Sequence, residues 1–190
     1  MPKVVYLTGA PAAGKSSTIA ELRKRRPDIE YWEYGARLTK YISSRENLKS
    51  QSELRNLSSM IVKAEDVDAV DDLLLQYVHK YRSSKPVIID SHPVTKERYG
   101  YRITPFSLDR FAQLAPDEIW VFLASPEVTL SRIASNPEGR PQITAEEARF
   151  HSQLQASVAA TYAMSIGRPV YIFDSSRDRE EILGELEARL

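Results

Sequence analysis

The chain has 190 residues, enough for one α/β domain with a substantial core and little room for a second. Its 42% hydrophobic and 27% charged content is that of a soluble globular protein, and 26 basic residues against 26 acidic ones leave no basic surplus for duplex or membrane binding. The absence of cysteine excludes disulfides, thiol catalysis and thiolate metal sites.

Val4-Val5-Tyr6-Leu7 is a continuous apolar run, the pattern of a parallel strand buried on both faces. The chain enters it directly, without a signal-peptide pattern or a long apolar span, so the expectation is a cytoplasmic enzyme with no membrane partner. A glycine- and alanine-rich stretch follows, and Ser16 to Arg26 then reads as a helix ending in three basic residues before Pro27. Ile29 to Tyr34 reads as a second strand, broken at Gly35. From Ala36 to Lys85 there is neither Gly nor Pro, and Leu54, Leu57, Ile61, Ala64, Leu74, Val78 and Tyr81 recur at roughly helical spacing; two or three helices are expected, the last ending near Arg82.

Pro86 to Asp90 reads as a third strand with an acid at its end, Phe106 to Leu114 as a short helix, and Ile119 to Leu123 as a fourth strand. Ser125-Pro126-Glu127 opens a helix with a cap residue, a first-turn proline and an early acid. Asn136 to Ile143 is a loop, and Thr144 to Glu147 is a capping box that starts a long helix closed by Gly167. Val170 to Phe173 is the fifth strand, and Asp178 to Leu190 a final amphipathic helix. Alternating strands and helices predict an α/β fold: a five-stranded parallel sheet with helices on both faces, in one domain over residues 1–190.

Gly9-Ala10-Pro11-Ala12-Ala13-Gly14-Lys15-Ser16 fits G-x-x-x-x-G-K-[ST] in full, between an apolar strand and a helix as that motif requires. Its glycines let successive backbone N–H groups turn toward one anion, and the following helix adds its positive end. Lys15 then supplies charge to the β- and γ-phosphates of ATP, the Ser16 hydroxyl is a ligand for Mg²⁺, and Ser17 continues the loop. Asp90 stands at the carboxyl end of a strand, where parallel sheets bind ligands; it either holds a Mg²⁺-bound water or caps the next turn. Ser175 and Ser176 follow the last strand, where they either meet a nucleotide base or cap a helix. The N-K-x-D signature of a switch GTPase is absent after the fourth and fifth strands, which read Ala124-Ser125-Pro126 and Asp174-Ser175-Ser176-Arg177, so a small kinase is the expectation. His79, His92 and His151 lack paired metal-ligand spacing. Only His92, two residues past Asp90, is a candidate site-lining residue, and His151 reads as structural.

These residues resemble the nucleoside monophosphate kinases, in particular the archaeal-type adenylate kinases. The likeness is carried by Thr8-Gly9-Ala10-Pro11 through Lys15-Ser16, Tyr34-Gly35-Ala36, Asp90-Ser91-His92 followed by Tyr99-Gly100-Tyr101, Pro116 to Ile119, Ser125 to Glu127, and His151, Tyr162 and Gly167. The resemblance implies a helical monophosphate-binding flap over about 35–82, with Gly35 at its entry and Arg37 and Arg55 gripping the acceptor phosphate. It also implies a short lid over about 136–143 carrying Arg140, with Arg132 facing the same transferring phosphoryl group. The implied activity is transfer of the γ-phosphoryl of ATP to a nucleoside monophosphate, AMP first, and the family is compatible with a homo-oligomer.

Departures from the family pattern keep other acceptors open. Only one arginine stands in the lid, the long helix reads Gln155-Ala156 where the family has Asn-Arg, and Asp90-Ser91-His92-Pro93 lacks the following arginine of bacterial adenylate kinases. Fewer phosphate-gripping arginines suit an acceptor with less charge, such as a nucleoside or a hydroxylated metabolite. A regulatory or nucleic-acid-associated ATPase is the third reading, disfavoured by the neutral net charge.

Overall fold

A computed structural model describes residues 1–44, 62–137 and 142–190. The parallel sheet is built from β1 (Val4–Gly9), β2 (Glu30–Glu33), β3 (Val87–Asp90), β6 (Glu118–Leu123) and β7 (Val170–Asp174), in the order β2-β3-β1-β6-β7. Every pairing is parallel. The first strand therefore lies at the centre, and its carboxyl end delivers the glycine-rich loop between β3 and β6.

Alternation along the strands divides the core in two. Val4 and Tyr6 face one side with Val87, Ile89, Ile119 and Val121, beneath α3 (Ala64–Tyr81), α4 (Leu108–Leu114) and α6 (Ala145–Ile166). Val5 and Leu7 face the other with Ile88, Trp120 and Phe122, beneath α1 (Lys15–Arg25) and α7 (Arg179–Glu187). Strands buried on both faces cannot alternate polar and apolar residues, which is why they read as continuous apolar runs. The first face is largely aromatic: Tyr6 meets Phe111 edge-on at 5.2 Å and Tyr162 at 5.6 Å. The Tyr162 hydroxyl accepts a hydrogen bond from the Phe106 N–H at 2.8 Å.

The remaining helices are α2 (Tyr34–Ser43) and α5 (Pro126–Ser135). Ser125, Thr144 and Asp178 cap their helices through side-chain oxygens, and Gly167 closes α6 in the left-handed conformation at φ 64°. The expected five-strand sheet is present with the helices that fall among the described residues, most boundaries displaced by a residue or two. α1 starts at Lys15, α4 at Leu108, and α7 stops at Glu187, three residues short, while Leu54, Leu57 and Ile61 of the expected helical stretch lie outside the described residues.

One element is additional. β4 (Val94–Glu97) and β5 (Gly100–Ile103) form an antiparallel hairpin outside the main sheet. It is held by tertiary contacts to α6 and not by an apolar face of its own, so its sequence lacks a strand-like alternation. The Tyr101 hydroxyl donates to the Glu147 carbonyl at 3.0 Å, and Lys96 pairs with the Glu147 carboxylate at 2.9 Å. Among the described residues, no helix is long and apolar enough to cross a membrane.

Candidate active site

The loop from Gly9 to Ser17 wraps the carboxyl end of β1. Gly9 has φ 153° and passes so close to β6 that a β-carbon there would strike the Phe122 carbonyl oxygen. Gly14 has φ 85°, and its α-carbon faces the Arg132 guanidinium and Ser175. Ala12 is also left-handed, at φ 62°. A non-glycine residue in that region stores strain, and such strain clusters where backbone is shaped around a ligand. Ala10 and Ala13 are buried and joined by an N–H to carbonyl bond of 3.1 Å, which tightens the turn, while Pro11 is exposed at its tip.

The loop runs into α1, whose first turn holds no acid, so nothing cancels the positive end of the helix. Lys15 is buried to 8% exposure, and its ammonium donates to the Gly9 carbonyl at 2.8 Å. Ser16 is exposed at the helix start, and Ser17 donates to the Gly14 carbonyl at 3.0 Å.

Arg132, near the end of α5, bridges the loop to the turn after β7. Its guanidinium donates to the Ala12 carbonyl at 3.1 Å, to the Ser175 hydroxyl at 3.0 Å and to the Ser175 carbonyl at 2.8 Å. Partial burial, and then the positive charge of Arg179, disfavour its cation, against which the Asp174 carboxylate acts weakly. A guanidinium held in this way gains when an anion arrives. Arg179 donates to the Ser17 hydroxyl at 2.8 Å. Gly14, Thr18, Arg132, Ser175, Ser176 and Arg179 line a cavity of about 270 Å³. The fold thus brings Ser175 and Ser176 beside the glycine-rich loop. Arg179 carries no motif signal, since its approach depends on where α7 packs.

The other side of the loop is built by β2 and β3. Asp90 lies 3% exposed at the end of β3, in register with Leu7 on β1 and Glu33 on β2. Its Oδ2 accepts from the Tyr31 hydroxyl at 2.9 Å, while Oδ1 is buried without a hydrogen-bond partner among the described residues. Burial first, and then the Asp90 carboxylate, push the Tyr31 phenol far up, so it stays a donor. An oxygen aimed at nothing in the protein, together with the Ser16 hydroxyl, is the sparse oxygen set that suits Mg²⁺, which keeps most of its waters. Among the described residues, no three His, Cys, Asp or Glu side chains converge on a metal-sized point.

Glu33 precedes α2 at the N-cap position, yet its side chain makes no cap hydrogen bond. Gly35 lies in the first turn of α2. Arg37, also on α2, is exposed, with its guanidinium 4.7 Å from the Trp32 ring centre. His92 is partly exposed just beyond Asp90, and His151 is buried on α6 with Nε2 at 3.0 Å from the Val94 carbonyl. Arg55 and Arg140 lie outside the described residues. The bond from Tyr31 to Asp90 carries no sequence signal, because an aromatic in a strand needs no ligand or partner to explain it.

Taken together, the sheet order, the complete phosphate loop and the cations around it define a P-loop kinase. The AAA domain family AAA_17 matches residues 8–149, and the chain belongs to that family. The adenylate kinase of Pyrococcus horikoshii is 26% identical, the alignment covering 98% of this chain and 94% of that protein. The adenylate kinase of Thermococcus onnurineus has the same identity and coverage. Among solved structures, shikimate kinase from Bacteroides thetaiotaomicron superposes with a TM-score of 0.59 at 18% identity, over 98% of this chain and 97% of that one. Deoxyadenosine kinase from M. mycoides gives 0.53 at 12% identity with the same coverage. The structural likenesses are those of a shared fold.

Proposed function

We propose that the protein transfers the γ-phosphoryl group of ATP to a nucleoside monophosphate, with AMP the first acceptor, as a cytoplasmic enzyme. The observation that carries this reading is a complete phosphate loop in a chain that aligns with 94% of the length of relatives named adenylate kinase. In this reading the backbone of Gly9 to Ser17 cradles the phosphates, and Ser175 and Ser176 flank the base. Residues 35–82 form the acceptor flap, with Gly35, Arg37, Arg55 and His92 on the acceptor, and 136–143 form the lid.

The acceptor oxygen bonds to the γ-phosphorus as the bond to the β–γ bridging oxygen breaks, and ADP leaves. No covalent intermediate with the protein is needed, so the residues work by position and charge. Lys15 follows the negative charge that moves toward the bridging oxygen, and Arg132 and Arg140 meet the charge on the transferring group. Mg²⁺, when bound, neutralises the β- and γ-phosphates; Ser16 would hold it directly and Asp90 through water. Lid closure would exclude water and suppress hydrolysis.

A second reading has its own observation. Glu33 and Asp90 stand side by side at the acceptor end of the sheet, and the Glu33 carboxylate is committed neither to the helix cap nor to an ion pair among the described residues. A carboxylate there suits an acceptor hydroxyl, whose proton it would take, better than an acceptor phosphate. The test is ADP formation from ATP-Mg²⁺ with AMP, CMP, UMP, GMP and their deoxy forms, with nucleosides and sugars, and with no acceptor. Turnover that depends on one monophosphate supports the proposal. Turnover with a hydroxyl acceptor replaces it with the second reading, and acceptor-independent hydrolysis removes both.

A further inference from the structure

The buried polar contacts between β1, the hairpin and α6 have no part in the site as described so far. Thr8 immediately precedes Gly9, and its hydroxyl donates to Gln155 Oε1 at 3.2 Å. Gln155 Nε2 donates to the Val94 carbonyl at 3.1 Å, an oxygen that also takes the His151 Nε2 contact. Because a carbonyl only accepts, the amide must turn its NH₂ toward Val94 and its oxygen toward Thr8. Val94 opens the hairpin four residues after Asp90, and Thr8 and Gln155 are both 0% exposed. Water cannot replace these bonds, so losing the amide strands the Thr8 hydroxyl on β1 and leaves the Val94 carbonyl of the hairpin with His151 alone.

From this geometry we infer that Gln155 is a positioning residue that sets the spacing between the phosphate loop and the segment leading from Asp90 into the hairpin. One neutral side chain supplies an acceptor to the donor-side strand and a donor to the acceptor-side backbone. His151 reinforces the second link as a neutral ring. Burial lowers its pKa and the Val94 bond acts the other way, while the positive charges of Lys15 and Lys96 lower it further. The hairpin's outer edge is meanwhile fixed to the start of α6, through Tyr101 against Phe150 and His151, each at 5.2 Å. Gln155 therefore closes the inner edge of a clamp whose outer edge is held by Glu147, Phe150 and His151 near the start of α6. A residue that holds two halves of a transfer site in register acts on the transfer step, not on nucleotide affinity.

This inference rests on the phosphotransferase reading, and its test separates the two. Gln155→Met keeps the volume and removes both bonds; Thr8→Val removes only the phosphate-loop link. For Gln155→Met the expected result is a kcat lower by roughly ten- to hundredfold, with ATP affinity within about threefold of wild type. Thr8→Val should lose less, and the double variant should be no worse than Gln155→Met, because both act through one chain of bonds. Amide hydrogen exchange across residues 94–103 should quicken in Gln155→Met and change little in Thr8→Val. Wild-type kcat in Gln155→Met, or a loss matched by an equal loss of ATP affinity, overturns the inference. If the wild type phosphorylates no acceptor, the functional reading fails by itself, and unchanged hairpin exchange in Gln155→Met then overturns the tie on structural grounds alone.

Discussion

Asp71→Asn should stabilise the protein at neutral pH and leave it unchanged in acid. Asp71 is 3% exposed on α3, and its Oδ1 accepts from the Tyr34 hydroxyl at 2.6 Å, joining α3 to the start of α2. Burial, the largest influence, raises its pKa from 3.8 to about 6; the Tyr34 bond and the Arg110 guanidinium pull it down, and Asp68 and Asp72 push it up. A raised carboxyl pKa means the fold disfavours the ionised form. Below the unfolded value both states are protonated and the penalty is absent; it grows as pH rises toward about 6 and is constant above. The gap corresponds to about 3 kcal/mol at most. Asn stands in for the protonated acid and keeps an acceptor for Tyr34, whose bond is already counted in that gap, and solvent screening at this partly buried contact trims the gain. The net expectation at pH 7.5 is about 1–2 kcal/mol, or roughly 3–7 °C in Tm. Melting both proteins by circular dichroism from pH 4 to 8 checks it: the two Tm values should converge at the acid end. A variant that is less stable than wild type at pH 7.5, or a difference that does not depend on pH, refutes the reasoning.

Lys15→Ala should lower turnover by roughly 10²- to 10³-fold through loss of charge stabilisation in transfer, measured as coupled ADP formation, and near-normal turnover would remove the phosphate-loop assignment. Gly9→Ala must displace β6, because its β-carbon meets the Phe122 carbonyl oxygen; a loss of about 2–3 kcal/mol is expected, read as a fall in Tm. Arg132→Lys should fail to restore what Arg132→Met loses in nucleotide affinity, since a single ammonium cannot bridge the Ala12 carbonyl and both oxygens of Ser175. Equal affinity of Arg132→Lys and wild type in a fluorescent-nucleotide titration would contradict that.

The main sheet was legible because the central strands are buried on both faces: Val4 to Leu7, Val87 to Ile89 and Ile119 to Phe122 need only hydrophobicity to declare themselves. The glycine-rich loop was legible for a different reason. Its geometry demands particular residues, and Gly9 has no space for any other side chain. The hairpin at 94–103 escaped because its register is imposed by α6, through Glu147, His151 and Gln155, which lie about 50 residues further along the chain. Asp90 was identified as an acid at a strand end, but its Tyr31 partner depends on β2 lying next to β3, a fact of sheet order. Gln155 illustrates the same limit from the other direction. In sequence it stands out only as a departure from a family pattern; in the fold it is a fully buried link between two elements.

What the acceptor is turns on electrostatics at one edge of the sheet, and Glu33→Gln separates the readings by sign. Two like charges about 4 Å apart cost on the order of 4 kcal/mol at an effective dielectric of 20. A phosphate acceptor brought against Glu33 and Asp90 would bear such a cost, and a charged hydrogen bond returns only about 1.5–3 kcal/mol. With a nucleoside monophosphate as acceptor, removing the Glu33 charge should therefore lower the acceptor KM severalfold and leave kcat intact or higher. With a hydroxyl acceptor, Glu33 would be the proton's destination, and the same change should cut kcat by roughly 10²- to 10⁴-fold at nearly constant KM. The nucleoside monophosphate proposal expects the first result in steady-state kinetics with AMP. A collapse of kcat in its place would assign Glu33 to proton transfer and move the acceptor to the hydroxyl class.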